Sequence, residues 1–411
     1  MITNSYRALL VEDDFRTINK DAFEQTSKIL FLIVSKPNTQ KLLKIIRSHG
    51  SFFTARNFKG IRPYPEDSSM MEIAVNDTYH SLTEEQKSKF ANMVVDEVEH
   101  DCTFGYEQLT YHQIMRQILP ENVIVPTGFE LIGDIAHFNL NDEQLKYKYI
   151  IAEVLMNKNN VIKTVINKTA SISNEFRVYP HEHLGGIENT VTRVKEQRCV
   201  FNVDVSKVYW NSRLSHCHEI VVEKVKPVDI LIDMFCGIGP FAIPAAKKGS
   251  LVFANDLNPE SIDLLRKNKI SNKIGPNLNI YNLDAREFIT NLFNSKEKDL
   301  MLNKTVHFVL NLPALSVEFL DCLVNTIDIT TNAVIHVFAF SSDPESFFVK
   351  DVEKRSMEFL QCDTLTVLEG KPMRMVSLSK AYVYLSFEGP RTMVRHQDQA
   401  TEEPITKSQT L

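Results

Sequence analysis

The sequence predicts an α/β protein. Its C-terminal side reads as a doubly wound domain, preceded by two smaller α/β or α+β domains. Three observations predict this. Asp229 to Pro259, DILIDMFCGIGPFAIPAAKKGSLVFANDLNP, reads as buried strand, Gly turn, helix, second strand and terminal acid. From about residue 201 onward, short apolar runs alternate with amphipathic stretches. In residues 1–100, strand and helix signals occur without any catalytic spacing.

The elements follow in order. In residues 1–100, KILFLIVSK (28–36) predicts a strand and NTQKLLKIIRSH a helix. LTEEQKSKFANMVVDEVEH (82–100) predicts another helix, with acid in its first turn. In residues 101–200, TYHQIMRQILP predicts a helix stopped by Pro120, and GFELIGDIAHFNL a strand, turn and strand. YKYIIAEVLMNKN predicts a helix and VIKTVINKTA a strand. Five lysines stand against one acid between Lys146 and Lys168. That stretch reads either as a phosphate-contacting face, with Lys158, Lys163 and Lys168 as contacts, or as an ordinary solvated face.

Residues 201–391 form the doubly wound domain. After Asp256 come helix PESIDLLRKNKISNK, strand LNIYNL and Asp284. VHFVLNL is a fourth strand, EFLDCLVNTI a helix and AVIHVFAF a fifth strand. RMVSLSKAYVYLSFEG predicts a final antiparallel hairpin. The polar tail, 392–411, is expected to be disordered.

The turn after the first strand narrows the ligand. A dinucleotide site wants G-x-G-x-x-G. Here Cys236-Gly237-Ile238-Gly239-Pro240 lacks the third Gly. Asp233 at the turn's entry repels phosphate and attracts a cation. Asp256 ends the second strand, where it can accept both hydroxyls of a ribose. A ligand with a ribose, a cationic centre and no phosphate fits, and S-adenosyl-L-methionine is the common one. The plain alternative is a Gly-containing αβ turn with no ligand.

Composition bounds the rest. A chain of 411 residues holds two or three domains, and 43% hydrophobic content suffices for real cores. Net charge is −6, so a nucleic-acid partner needs a local basic surface. Six scattered cysteines without a C-x-x-C pair suggest reduced thiols. No apolar run reaches about 18 residues, so no membrane span is expected. Acids at 12–14 argue against a strong mitochondrial transit peptide.

Seven stretches now stand in order: GFELIGDIAHFNL, IKTVINK, NEFRVYPHEHLGG, DVSKVYWNSRL, DMFCGIGPFAIPAAKKG, ANDLNP and NLPA. With them, the chain resembles the archaeal and eukaryotic tRNA (guanine-37-N1)-methyltransferase family, its eukaryotic members above all. The resemblance runs from about Gly128 to Pro390. It implies a Rossmann-like class I methyltransferase domain behind two tRNA-binding domains. The implied reaction is methyl transfer from S-adenosyl-L-methionine to N1 of guanosine-37 in the anticodon stem-loop. The resemblance also implies a monomer distributed among mitochondrial matrix, nucleus and cytoplasm. No metal is expected, because the sulfonium is already activated.

Residue roles follow from the resemblance. Arg177, in Asn174-Glu175-Phe176-Arg177, matches the arginine that contacts O6 of the base. Asn311, in Asn311-Leu312-Pro313-Ala314, would hold the cofactor and the base edge. Ala314 stands where methylases of exocyclic amines carry a stacking aromatic, which argues against that chemistry. Asp284 and Ala285 would bracket the adenine, and Leu257 would pack on one of its faces. Gly237 and Gly239 would shape the turn beneath the cofactor, and His218 would stand beside it. Tyr209 and Trp210 read either as pocket lining or as core aromatics. The stretch Arg213 to Glu219, RLSHCHE, departs from the family's R-L-x-T-E-H-E-R. Cys217 replaces the Glu proposed as general base. If the stretch is a strand, Cys217 and Glu219 share a side, and Glu219 becomes the nearest base. The alternative is loss of the proton to water. A related aminocarboxypropyl transferase of wybutosine synthesis and a catalytically impaired tRNA-binding paralogue are the competing readings.

Overall fold

The computed structural model describes residues 17–389, apart from 171–175, 177, 325–331 and 346. The chain divides into two compact units. One comprises Phe129 and the residues before it, with Ala136–Lys168 and Glu182–Glu188. The other takes Glu130–Ile135, Thr169–His181 and everything from Asn189 on. The expected tail at 392–411 lies outside the described residues.

Among the described residues the first unit holds two larger cores and a smaller cluster of Ile29, Phe31, Ala74 and Cys102. In one, strand Gln25–Ser35 pairs antiparallel with both Met70–Val75 and Val94–Phe104, and Ile61–Pro63 adds an edge. Helix Thr39–Ser48 buries Leu42, Leu43 and Ile46 in the same core as Leu32, Val34 and Ile73. The helix expected over 82–100 is corrected here. Thr83 and Gln86 form a reciprocal cap, but the helix ends at Ser88, and Val94–Phe104 is a strand. VVDEVEH carries both helical and alternating periodicity. Pairing with the apolar strand Gln25–Ser35 decides for the strand, leaving its acids outward.

The second core packs helices Tyr111–Ile118 and Lys148–Lys158 with Ala136, Phe138, Val165 and Leu184. Lys158 is absorbed into this packing. Its ammonium donates to the Tyr106 carbonyl and sits 4.0 Å from the centre of the Tyr106 ring. Lys163 is exposed, its ammonium donating to Asn160 O at 2.8 Å.

Among the described residues the main sheet of the second unit has seven strands, beside a separate pair, Val191–Glu196 and Cys199–Asp204; the seven are numbered in chain order. They are β1 (Ile230–Asp233), β2 (Leu251–Asn255), β3 (Leu278–Tyr281), β4 (Thr305–Leu310), β5 (Asn332–Ser341), β6 (Val367–Ser377) and β7 (Lys380–Glu388). They lie in the order β3-β2-β1-β4-β5-β7-β6. The first five are parallel, and the C-terminal hairpin joins antiparallel, as expected for RMVSLSKAYVYLSFEG. The helices are α1 (Ser215–Lys224), α2 (Ala242–Lys248), α3 (Pro259–Ser271), α4 (Ala285–Phe293) and α5 (Val349–Leu360). Phe253, Phe288, Phe308, Ile335 and Leu385 are central to its core. EFLDCLVNTI gives only a 3-10 turn, Glu318–Leu323, and its end lies outside the described residues. The strand geometry expected for the Cys217 segment is also corrected, because these residues open α1.

Candidate active site

The sheet order reverses between β1 and β4. At such a switch point the flanking loops diverge and leave a crevice at the strands' carboxyl ends. Asp233 ends β1, directly opposite Val309 of β4. Its side chain is fully buried, and neither carboxylate oxygen has a hydrogen-bond partner among the described residues. Burial, then the neighbouring Asp256, push its carboxyl well above the ordinary range. The Phe235 N–H opposes this without forming a hydrogen bond of normal geometry. An orphaned buried carboxylate wants a cation or a donor.

The Gly turn follows. Gly237 has φ 51°, and a Cβ there would meet nothing within 4 Å, so open space lies above the turn. Its N–H donates to Asp256 Oδ2 at 2.8 Å, and Asn258 N–H donates to Asp256 Oδ1 at 2.9 Å. Burial raises the Asp256 carboxyl while these two donors pull it down. Gly239 has φ 96°, and a Cβ there would come within 2.5 Å of Leu265 Cδ1. Gly239→Ala is therefore expected to cost about 1–3 kcal/mol from overpacking alone. Calorimetry of the free protein should show a lowered melting temperature; an unchanged one would mean α3 shifts freely away from the turn.

The residues expected to take the adenine stand at the ends of β2 and β3. Leu257 is 42% exposed, free to cover a ring. Asp284 is exposed, and its Oδ1 caps α4 by accepting from Arg286 N–H at 2.9 Å. Ala285 is buried behind it. Two asparagines hold these ends in place. Asn282 donates to the carbonyls of Asp256 and Leu257, and buried Asn255 exchanges hydrogen bonds with the Leu283 backbone.

Asn311 follows β4. Its Oδ1 accepts from the Tyr382 hydroxyl at 2.8 Å. Cys217 is buried on the inner face of α1, and burial pushes its thiol up to about 11. Glu219 is two residues on. A helix turns about 100° per residue, so Glu219 faces away from Cys217, with its side chain 53% exposed and 3.8 Å from His216. The geometry that favoured Glu219 as base is thus absent. His218 is buried, its Nδ1 2.6 Å from Glu196 Oε1, and its ring meets Phe241 edge-on at 4.9 Å. Trp210 packs on Phe201 in the core, whereas Tyr209 is 37% exposed. Arg177 lies outside the described residues. Among the described residues no three His, Cys, Asp or Glu side chains come together as a metal site, and no helix is long and apolar enough to cross a membrane.

Residues 192–365 match the pattern described as TRM5/TYW2 methyltransferase domain, and residues 111–190 match the TYW2 N-terminal domain. A Dictyostelium discoideum protein named tRNA (guanine(37)-N(1))-methyltransferase is 35% identical over 387 residues, covering 91% of this chain and 82% of its own. The chain belongs to the tRNA (guanine(37)-N(1))-methyltransferase family. A Mus musculus protein of the same name is 34% identical, over 96% of this chain and 82% of its own. Among solved structures, one described as the complex structure of aTrm5 and tRNALeu has a TM-score of 0.64 at 23% identity. It covers 88% of this chain and 99% of its own and shows the shared fold. Glu196, Asn255, Asn282 and Tyr382 are the site residues that sequence reasoning missed. Tyr382 and Asn311 are 71 positions apart, and no local signal links them.

Proposed function

We propose that the chain transfers the methyl group of S-adenosyl-L-methionine to N1 of guanosine-37 in tRNA. The observation that carries this reading is the unpartnered Asp233 carboxylate at the end of β1, with Asn311 following the adjacent strand β4. Asp233 and the Gly237 turn fit a ligand with a cationic centre. Asp256 would accept the ribose hydroxyls. Asp284, Ala285 and Leu257 would hold the adenine, and His218, fixed by Glu196, would stand beside the cofactor. When bound, the sulfonium supplies an electrophilic methyl group.

The protein's own part is the guanine. N1 carries a proton at neutral pH and is a poor nucleophile until the proton leaves. Its loss places negative charge on O6, which donors stabilise. Asn311 and Arg177 are the proposed donors. Cys217 stays a neutral thiol at working pH, and Glu219 faces solvent, so the proton passes to water. Glu219→Gln should then keep the single-turnover rate within about twofold. A loss on the scale of general base catalysis, about 10²-fold or more, would restore Glu219 as the base.

The base must be extruded from its stack. The tRNA itself would be held through phosphates, with Lys163 and Lys168 retained as contacts and Lys158 serving mainly the fold. A monomer in mitochondrial matrix, nucleus and cytoplasm is proposed on the family resemblance alone. The test uses a tRNA transcript and cofactor labelled either in the methyl or in the aminobutyrate part. Methyl label in the tRNA supports the proposal. Aminobutyrate label would make the chain an aminocarboxypropyl transferase, and binding without label a catalytically impaired paralogue.

A further inference from the structure

Resting on that reading, one residue beyond the expected set has a defined task. Tyr382 lies on β7, 3% exposed. Its ring is nearly parallel to Phe338 at 5.6 Å and tilted against Phe340 at 6.0 Å. Tyr382 stands opposite Phe340 in the β5–β7 ladder, and Phe340 N–H donates to the Pro313 carbonyl at 2.9 Å. The Asn311–Ala314 stretch is therefore tied to the residue that faces Tyr382. Ring packing, rather than Asn311, sets where the hydroxyl sits. That hydroxyl donates to Asn311 Oδ1.

We propose that Tyr382 is a positioning residue that fixes the orientation of the Asn311 amide, so that its N–H groups face the target base and select guanine. The argument is one of donors and acceptors. An amide can be turned over with almost no change in shape, so only hydrogen bonding chooses its orientation. With Oδ1 occupied by the phenol, the NH₂ group is left for the ligand. Guanine offers O6 as an acceptor, and O6 gains charge as N1 loses its proton. Turned over, the amide would aim its carbonyl at that charge. Adenine presents an amine where guanine has O6, so a fixed donor there rejects it. The Tyr382 hydroxyl is buried and keeps its proton, burial first and then neighbouring Cys217 and Tyr209 raising its pKa, so a turned-over amide would take away the acceptor of this buried O–H. Polarising the amide carbonyl also strengthens its N–H groups as donors.

The test is a double-mutant cycle on single-turnover methyl transfer, run on full-length protein with a guanosine-37 transcript. Wild-type protein must first transfer methyl; if it does not, the proposed function fails and the cycle is not the reason. Given that activity, Tyr382→Phe should slow transfer by about tenfold, the scale of one hydrogen bond. Cofactor affinity and melting temperature should stay essentially unchanged. In the Asn311→Ala background the same substitution should cost nothing further. Asn311→Asp, which still accepts from Tyr382 but cannot donate, should be as slow as Asn311→Ala. An equal loss in both backgrounds would make Tyr382 a packing residue. An active Asn311→Asp would remove the donor role, and either result overturns the proposal.

Discussion

Asn311→Ala is expected to lower the single-turnover rate of methyl transfer by about 10²- to 10³-fold, the effect of removing one donor from a developing oxyanion. Cofactor affinity should fall less than tenfold. The argument begins with place. Asn311 leaves the end of β4, beside the β1 end that carries Asp233. It is partly exposed, whereas its tether Tyr382 is buried. A side chain so held reaches outward with its orientation already set, and it meets new charge without having to reorganise. Ground-state binding uses little of this, because neutral guanine has less charge on O6. Rapid-quench measurement of methyl transfer checks it. A rate within about threefold of wild type would place the oxyanion donor elsewhere, with Arg177 the first alternative.

Asp233→Asn should weaken S-adenosyl-L-methionine binding by about 10²-fold or more, since an uncompensated partner of a buried ion pair costs about 3–5 kcal/mol. The same substitution should raise the melting temperature of the free protein. The sign follows from burial. In the free protein the Asp233 carboxyl is raised well above its ordinary value. Its contribution to stability is present at low pH and lost as pH rises through the folded-state pKa. The stability gain of Asn over Asp therefore grows with pH. A cationic ligand favours the ionised form, so wild-type affinity should climb from pH 5 to pH 8, and Asp233→Asn should flatten that climb. Calorimetric titration at several pH values reads both effects. Affinity independent of Asp233 would remove it from the cofactor site.

The doubly wound half was legible because its signals are local. The run DILIDMF, the Gly turn and LVFAND each carry their own strand or turn chemistry, and each forms as expected. The Cys217 segment was not legible in this way. SHCHEIVVEK carries apolar residues at both helical and strand spacing, and its first turn is polar. Tertiary packing that buries Cys217, His218 and Val221 together decides for the helix. That one change moves Glu219 from a candidate base to a solvent-facing residue. Lys158 shows the other limit. Composition marks it as a cation on a basic stretch, while the aromatic ring and carbonyl that hold it come from Tyr106, 52 positions away. Tyr382 and Glu196 were hidden for the same reason, since a hydrogen bond between side chains far apart in the chain leaves no trace in spacing.

The most direct measurement is the identity and position of the modified nucleoside. A guanosine-37 tRNA transcript is incubated with purified protein and S-adenosyl-L-methionine, digested, and analysed by mass spectrometry against nucleoside standards. The predicted result is 1-methylguanosine, one per tRNA, located at position 37 and lost when that base is changed to adenine. A methyl group on the exocyclic amine, or at any other position, would contradict it.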